Sequence, residues 1–149
     1  MAEENKKAIE KAMQLLLYKD RTRHELYDRL KKSGFLETAA TAAIEYVESF
    51  GYVNDLRYAC NYVSFRHDNK SKREIVYKLR EKGIEDSIIE QALDEEYHGE
   101  QEAIRCLLTK RLKGKSISEL ERTEREKHIA YLCRKGYSYP EVQRVLDNL

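Results

Sequence analysis

Apolar residues recur along this chain at helical spacing, and the recurrence stops three times in nearly the same letters: LKKSGF at residues 30 to 35, LREKGI at 79 to 84 and LCRKGY at 132 to 137. If Gly34, Gly83 and Gly136 each stand just past a helix in the left-handed conformation, the residue four before and the residue one after form the apolar pair of a Schellman cap. Those pairs are Leu30 with Phe35, Leu79 with Ile84, and Leu132 with Tyr137. Aligned on the glycines, the following segments place Ala40, Ala43 and Ile44, then Ile89, Ala92 and Leu93, then Val142, Val145 and Leu146 on one helical face. A second helix is therefore predicted after each cap, entered at Asp86 in the middle copy and at Ser138 with Pro140 in the last.

Upstream of the caps, Thr22 with Glu25 and Ser71 with Glu74 have the spacing of capping boxes. They open the preceding helix in the first two copies. The third copy has SISELERTEREK instead, where Ser118 and Glu121 are the capping candidates of a longer helix. Connecting helices are predicted over about 5 to 18, 55 to 69 and 100 to 113, the second capped by Asn54 or Asp55. The expected fold is all-α: a tandem array of three three-helix, helix-turn-helix-like repeats at 1–53, 54–98 and 99–149. Repeats of this period bury their apolar faces partly against neighbours and build an elongated body. At about 1.5 Å per helical residue, it would be on the order of 60 to 80 Å long. A compact bundle is the competing arrangement.

Composition agrees with long solvated helices: 37% of residues are charged, with one Pro, six Gly and no Trp. Formal net charge is only +1, so attraction to a polyanion must come from clustering. The charges do cluster. Arg66, Lys70, Lys72, Arg73, Lys78, Arg80 and Lys82 form a basic block, and residues 85 to 102 carry only acids among their charged groups. Solvated helix faces complementing their macrodipoles would give similar blocks. A binding surface is favoured by Arg66, Lys70 and Arg73, spaced i, i+4, i+7 across a helix junction at Ser71. If they converge, they can contact phosphates or an acidic protein surface, with Lys72, Lys78 and Arg80 nearby.

Catalytic chemistry is hard to assemble. His24-Glu25 lacks the second His of an HExxH helix, and the chain has neither a GxxxxGK[ST] loop nor a GxGxxG turn. Cys60, Cys106 and Cys133 form no CxxC pair and are expected to be small core residues. The eleven tyrosines are expected mainly to plug module interfaces, with the hydroxyl reaching water. No cofactor or metal is implied, and a binding protein is expected rather than an enzyme. Apolar runs such as MQLLLY fall short of the roughly 18 residues a membrane span needs, and MAEENKKAIEK lacks the order of a signal peptide. A cytoplasmic location without membrane contact is expected. Three capped modules with no leftover apolar stripe point to a monomer.

One stretch goes beyond physical reading. GYVNDLRYACNYV, residues 51 to 63, resembles the signature of the RecX family of bacterial recombination regulators in Gly51, Tyr52, Asn54, Asp55, Arg57, Tyr58 and Ala59. LREKGIEDSIIEQAL and LCRKGYSYPEVQRVL are similar to that family's second and third modules. A departure is HDNKSKREI, where the family commonly has a Lys-Gly or Arg-Gly turn; Asn69 and Ser71 stand there, and the basic character survives. The resemblance implies a curved array of three three-helix repeats lodged in the helical groove of a RecA filament on single-stranded DNA. It would impede filament growth and lower ATP hydrolysis, strand exchange and coprotease activity in DNA repair, recombination and the SOS response. Weak direct DNA contact is compatible with that role. The resemblance also adds Arg57 to the candidate surface, although Arg57 could equally brace a module junction by pairing with an acid such as Asp55. The alternative function is a stand-alone DNA-binding helix-turn-helix-like protein.

Overall fold

The computed structural model describes residues 2–149. Among them the predicted periodicity becomes nine α-helices, one 3-10 turn and no strand. The helices are α1 (Ala2–Tyr18), α2 (Arg23–Lys32), α3 (Glu37–Ser49), α4 (Asp55–Arg66), α5 (Lys72–Glu81), α6 (Asp86–Glu96), α7 (Glu100–Leu112), α8 (Arg122–Lys135) and α9 (Tyr139–Asp147), with the 3-10 turn at Ile117–Glu119.

All three Schellman caps form. The amides of Phe35, Ile84 and Tyr137 each donate to the carbonyl of Leu30, Leu79 and Leu132 at 3.2 Å, and the glycine amides close the inner bond on Lys31, Arg80 and Cys133 at 2.9 to 3.0 Å. Leu30, Leu79 and Leu132 are fully buried. Each cap therefore fixes a core leucine worth about 2 to 3 kcal/mol of apolar burial.

Both capping boxes form as well. Thr22 Oγ1 accepts from the Glu25 amide at 3.1 Å while Glu25 accepts from the Thr22 amide at 3.0 Å. Ser71 and Glu74 repeat this at 3.2 and 3.1 Å. The third copy differs from expectation. Ser118 lies in the 3-10 turn and its hydroxyl pairs with that of Ser116, while Glu121 takes the N-cap position of α8 without a side-chain bond. The 3-10 turn uses up the residues that would have made the cap, though α8 is the longer helix predicted. At α4 the Asn54 side-chain Oδ1 accepts from the Arg57 amide at 2.9 Å and supplies the cap, which frees Asp55 for another helix.

By packing, the chain divides into two units. The first comprises residues 1–59 and 79–91. Its core joins Ala8, Ala12 and Leu15 of α1 to Leu26 and Leu30 of α2 and to Ala39, Ala40, Ala43, Ile44 and Val47 of α3. Alanines on both α1 and α3 allow these two helices to lie close along their lengths. The second unit comprises residues 60–78 and 92–149, with Ile104 and Leu108 of α7, Leu132 of α8, and Val142, Val145 and Leu146 of α9 in its core. Tyr137 is sealed there with its hydroxyl unpartnered. The cysteines do not behave as core residues: Cys60, Cys106 and Cys133 are all only half-buried. Their small apolar side chains fit a core, but their helix positions face its margin. Of the eleven tyrosines, Tyr97 and Tyr137 are buried and Tyr27, Tyr58, Tyr62 and Tyr131 half-buried, whereas Tyr18, Tyr46, Tyr52, Tyr77 and Tyr139 are exposed.

Candidate functional site

The capping boxes have a second use that locates the site. In the first unit the Thr22 hydroxyl, while accepting from α2, donates to the carbonyl of Lys82 at 2.7 Å, and Glu25 pairs with the Lys82 ammonium at 3.6 Å. Lys82 immediately precedes the cap glycine of α5. In the second unit Ser71 donates to the carbonyl of Lys135 at 2.6 Å and Glu74 pairs with its ammonium at 3.5 Å. Thus the capping box of one repeat grips the Lys-Gly cap of the next, twice over. Thr22 and Ser71 are fully buried by this contact. The Lys82 ammonium is pulled down by burial, but the Tyr58 hydroxyl and Glu25 outweigh that and leave it above its ordinary value.

Around the second grip lies a groove of about 340 Å3 lined by Lys70, Arg73, Glu74, Tyr77, Lys78, Arg134 and Lys135. It gathers five cations against one carboxylate, and that carboxylate is already held by Lys135. Arg73 donates from Nη2 to the Arg134 carbonyl at 3.0 Å, which fixes one wall. The buried Tyr97 hydroxyl donates to the Lys70 carbonyl at 3.3 Å, which fixes the turn into α5. Tyr77 is 65% exposed and offers an aromatic face beside the charges. Such a groove can bind phosphates or surface carboxylates, with the ring available for stacking or apolar contact.

Of the residues singled out from sequence, Lys70, Arg73 and Lys78 meet in this groove. Arg66 stands apart from it, its guanidinium 4.8 Å over the Tyr62 ring. Lys72 points its ammonium at the Tyr97 ring, 5.5 Å away, and lines a different recess with His98 and Glu141. Arg80 belongs to the first unit, where it is bonded through Nε to Asp86 at 2.8 Å; that pairing holds the Asp86 carboxyl below its usual range. Arg57 braces its own junction. It donates to the carbonyls of Gly51 and Tyr52 at 2.7 and 3.4 Å and lies 3.9 Å from Asp20, whereas Asp55 instead accepts from the Arg23 amide at the start of α2 at 2.8 Å.

Arg134 and Lys135 were not apparent from the sequence blocks. The signal for them is the Lys-Gly pair of the second and third caps, where the first cap has Ser33-Gly34. Cys60, the one thiol with a marked shift, is pushed up to about 11 by desolvation and by its hydrogen bond to Glu95, the reverse of what a nucleophile needs. No cluster among the described residues has the ligands for a metal ion, and no helix among them is long and apolar enough to cross a membrane.

Comparison with known proteins places the chain in a lineage. Residues 8–46 match the family model of the RecX first three-helix domain, and residues 54–93 match that of the RecX second three-helix domain. The chain belongs to the RecX family. It is 33% identical over 139 residues to regulatory protein RecX of Vibrio campbellii, covering 93% of this chain and 88% of that protein. It is also 33% identical over 147 residues to regulatory protein RecX of Caldanaerobacter subterraneus, covering 97% and 71%. The crystal structure of RecX from Lactobacillus salivarius superposes with a TM-score of 0.85 at 26% identity, over 100% of both chains. The RecX relatives are named regulatory proteins.

Proposed function

We propose that this protein is a cytoplasmic, monomeric regulator that binds filaments of RecA on single-stranded DNA and restrains them, lowering ATP hydrolysis, strand exchange and coprotease activity. The observation that carries this reading is the RecX likeness, which runs over 93% of the chain in the Vibrio relative. The second-unit groove supplies a surface suited to the task. Lys70, Arg73, Lys78, Arg134 and Lys135 would meet acidic side chains or backbone phosphates on the filament, with Tyr77 packing beside them. Arg57, Arg66, Lys72 and Arg80 are secondary contacts in this reading, because none of them lines the groove. Several modest patches on one chain add avidity without a single tight site. Binding one filament state better than another changes its population, so the regulator itself needs no reactive centre.

The test is a titration of RecA, ATP and single-stranded DNA with the purified protein. ATP turnover is expected to fall with dose and reach a plateau. Unchanged turnover with intact filaments at saturating protein rejects the proposal. A stand-alone DNA binder would instead show strong sequence preference on naked DNA, measured across salt concentrations.

A further inference from the structure

The first unit holds a second cluster of cations that the filament reading does not use. Lys11, Gln14 and Tyr18 lie on one face of α1 at i, i+3, i+7, and with Lys19, Arg21 and Arg29 they line a recess of about 450 Å3. Four cations line it and no carboxylate does. Its chemistry turns on Arg21.

Arg21 is only 6% exposed, yet it has no acidic partner within ion-pair distance among the described residues. Its Nε donates to the Leu15 carbonyl at 3.3 Å in the last turn of α1. That bond, with the negative end of the helix dipole, offsets part of the buried charge. It uses one of five guanidinium donors. The neighbouring acids are occupied elsewhere, Asp20 with Arg57 at 3.9 Å and Asp28 with His24 at 3.3 Å. Lys11, Lys19 and Arg29 likewise have no ion pair among the described residues. Capping α1 explains Arg21 alone. It does not explain three further cations around the same cavity, whose mutual repulsion is unfavourable until an anion arrives.

We infer that this recess is an anion site for closely spaced phosphates, held by Arg21 and Arg29 with Lys11 and Lys19 beside them. Two guanidinium groups favour phosphate because each can form paired hydrogen bonds with its oxygens. A volume of about 450 Å3 exceeds what one phosphate fills, so a polyphosphate or two successive phosphodiesters is the fitting chemistry. The exposed Tyr18 ring stands where an attached base could stack. This inference concerns the isolated protein and stands or falls apart from filament binding.

The experiment titrates the full chain with inorganic tripolyphosphate and, separately, with a short oligothymidylate, following backbone amides by NMR. Shifts are expected at residues within 11 to 29 and about a tenfold loss of affinity in the double variant Lys19→Glu, Arg29→Glu, which leaves buried Arg21 in place. Lys32→Glu, on the same helix α2 but outside the recess, should bind within about twofold of the parent. Binding of tripolyphosphate alone assigns the site to a free polyphosphate, and binding of the oligonucleotide, with or without tripolyphosphate, assigns it to a nucleic-acid backbone. Binding of neither probe, or binding that the double variant leaves intact, overturns the inference.

Discussion

The two places where a capping box grips a Lys-Gly cap are the same joint built twice and decorated differently. In both, a buried hydroxyl caps one helix and donates to the carbonyl before the cap glycine, and the box glutamate pairs with the lysine there. Aligning Thr22 on Ser71 and Lys82 on Lys135 pairs the remaining positions. Where the second joint has Arg73, Tyr77 and Arg134, the first has His24, Asp28 and Glu81, whereas Lys70 and Lys78 align with the cations Arg21 and Arg29. The neighbouring recess at the first joint is lined by Glu48, Asp55 and Glu85 as well as Arg23 and His24, so its charge is mixed. The shared atoms hold the joint together. The cations peculiar to the second are not needed for that, and surplus charge concentrated at one of two equivalent joints is what a binding surface would leave.

The largest effect should come from breaking the shared part. Gly83 has φ +82°, and a Cβ built there would lie 2.3 Å from the His24 Cβ; at Gly136 it would lie 2.6 Å from the Ser71 hydroxyl. Gly34 also has a positive φ, but a Cβ there would meet nothing within 4 Å. Gly83→Val should therefore cost about 3 kcal/mol or more, from left-handed strain plus overpacking. Gly34→Ala should cost about 1 kcal/mol, from backbone conformation alone. Urea denaturation of both variants measures the gap, and equal losses would mean that the glycine is required only by its φ angle.

Next in size is the hydroxyl. Thr22→Val and Ser71→Ala each remove a helix cap and leave a buried carbonyl, of Lys82 or Lys135, without its donor. Each should lose about 2 kcal/mol in the same denaturation assay. If the joints are equivalent, the two losses agree to within about 1 kcal/mol.

The decoration should separate from the scaffold when charge is reversed. Lys70→Glu with Lys78→Glu alters the groove without touching the Ser71, Glu74 and Lys135 contacts. Affinity for RecA filaments should fall by about tenfold or more while the helical circular dichroism stays unchanged. The opposite change at the first joint, Glu85→Lys, should alter affinity by less than about twofold. A groove variant with unaltered affinity would move the contact elsewhere on the chain.

What the sequence disclosed followed the range of the interaction. Schellman caps and capping boxes close within a few residues, so Leu30 with Phe35 or Ser71 with Glu74 could be read directly. The grip of Ser71 on Lys135 spans much of the chain, and its trace was only a Lys before two of three cap glycines. For the groove, the basic block gave Lys70, Arg73 and Lys78, because they share α5 and the turn before it. It also included Arg66 and Arg80, whose side chains the fold directs to Tyr62 and Asp86. Clustering along the chain cannot distinguish these from groove residues, and it misses Arg134, whose place is set by tertiary packing. Either Asn54 or Asp55 could cap α4 by sequence; Asn54 takes that position and leaves Asp55 to the start of α2.

That reassignment predicts the smallest effect and one confined to the first joint. The Asp55 carboxyl is raised above its ordinary value, chiefly because burial disfavours its charge, and Glu48 adds to the rise; the Arg23 amide bond opposes it. A raised folded value means that the native state holds this proton to higher pH than the unfolded chain does. The contribution to stability is therefore fully present below the unfolded carboxyl value and is lost as pH rises through the folded one. Asp55→Asn keeps an acceptor for the Arg23 amide and removes the charge. The stability of the parent relative to this variant should decline as pH rises across the carboxylate range and stay level above it, as measured by paired urea denaturations. A difference that stays flat across that range would show that Asp55 does not change its proton affinity on folding.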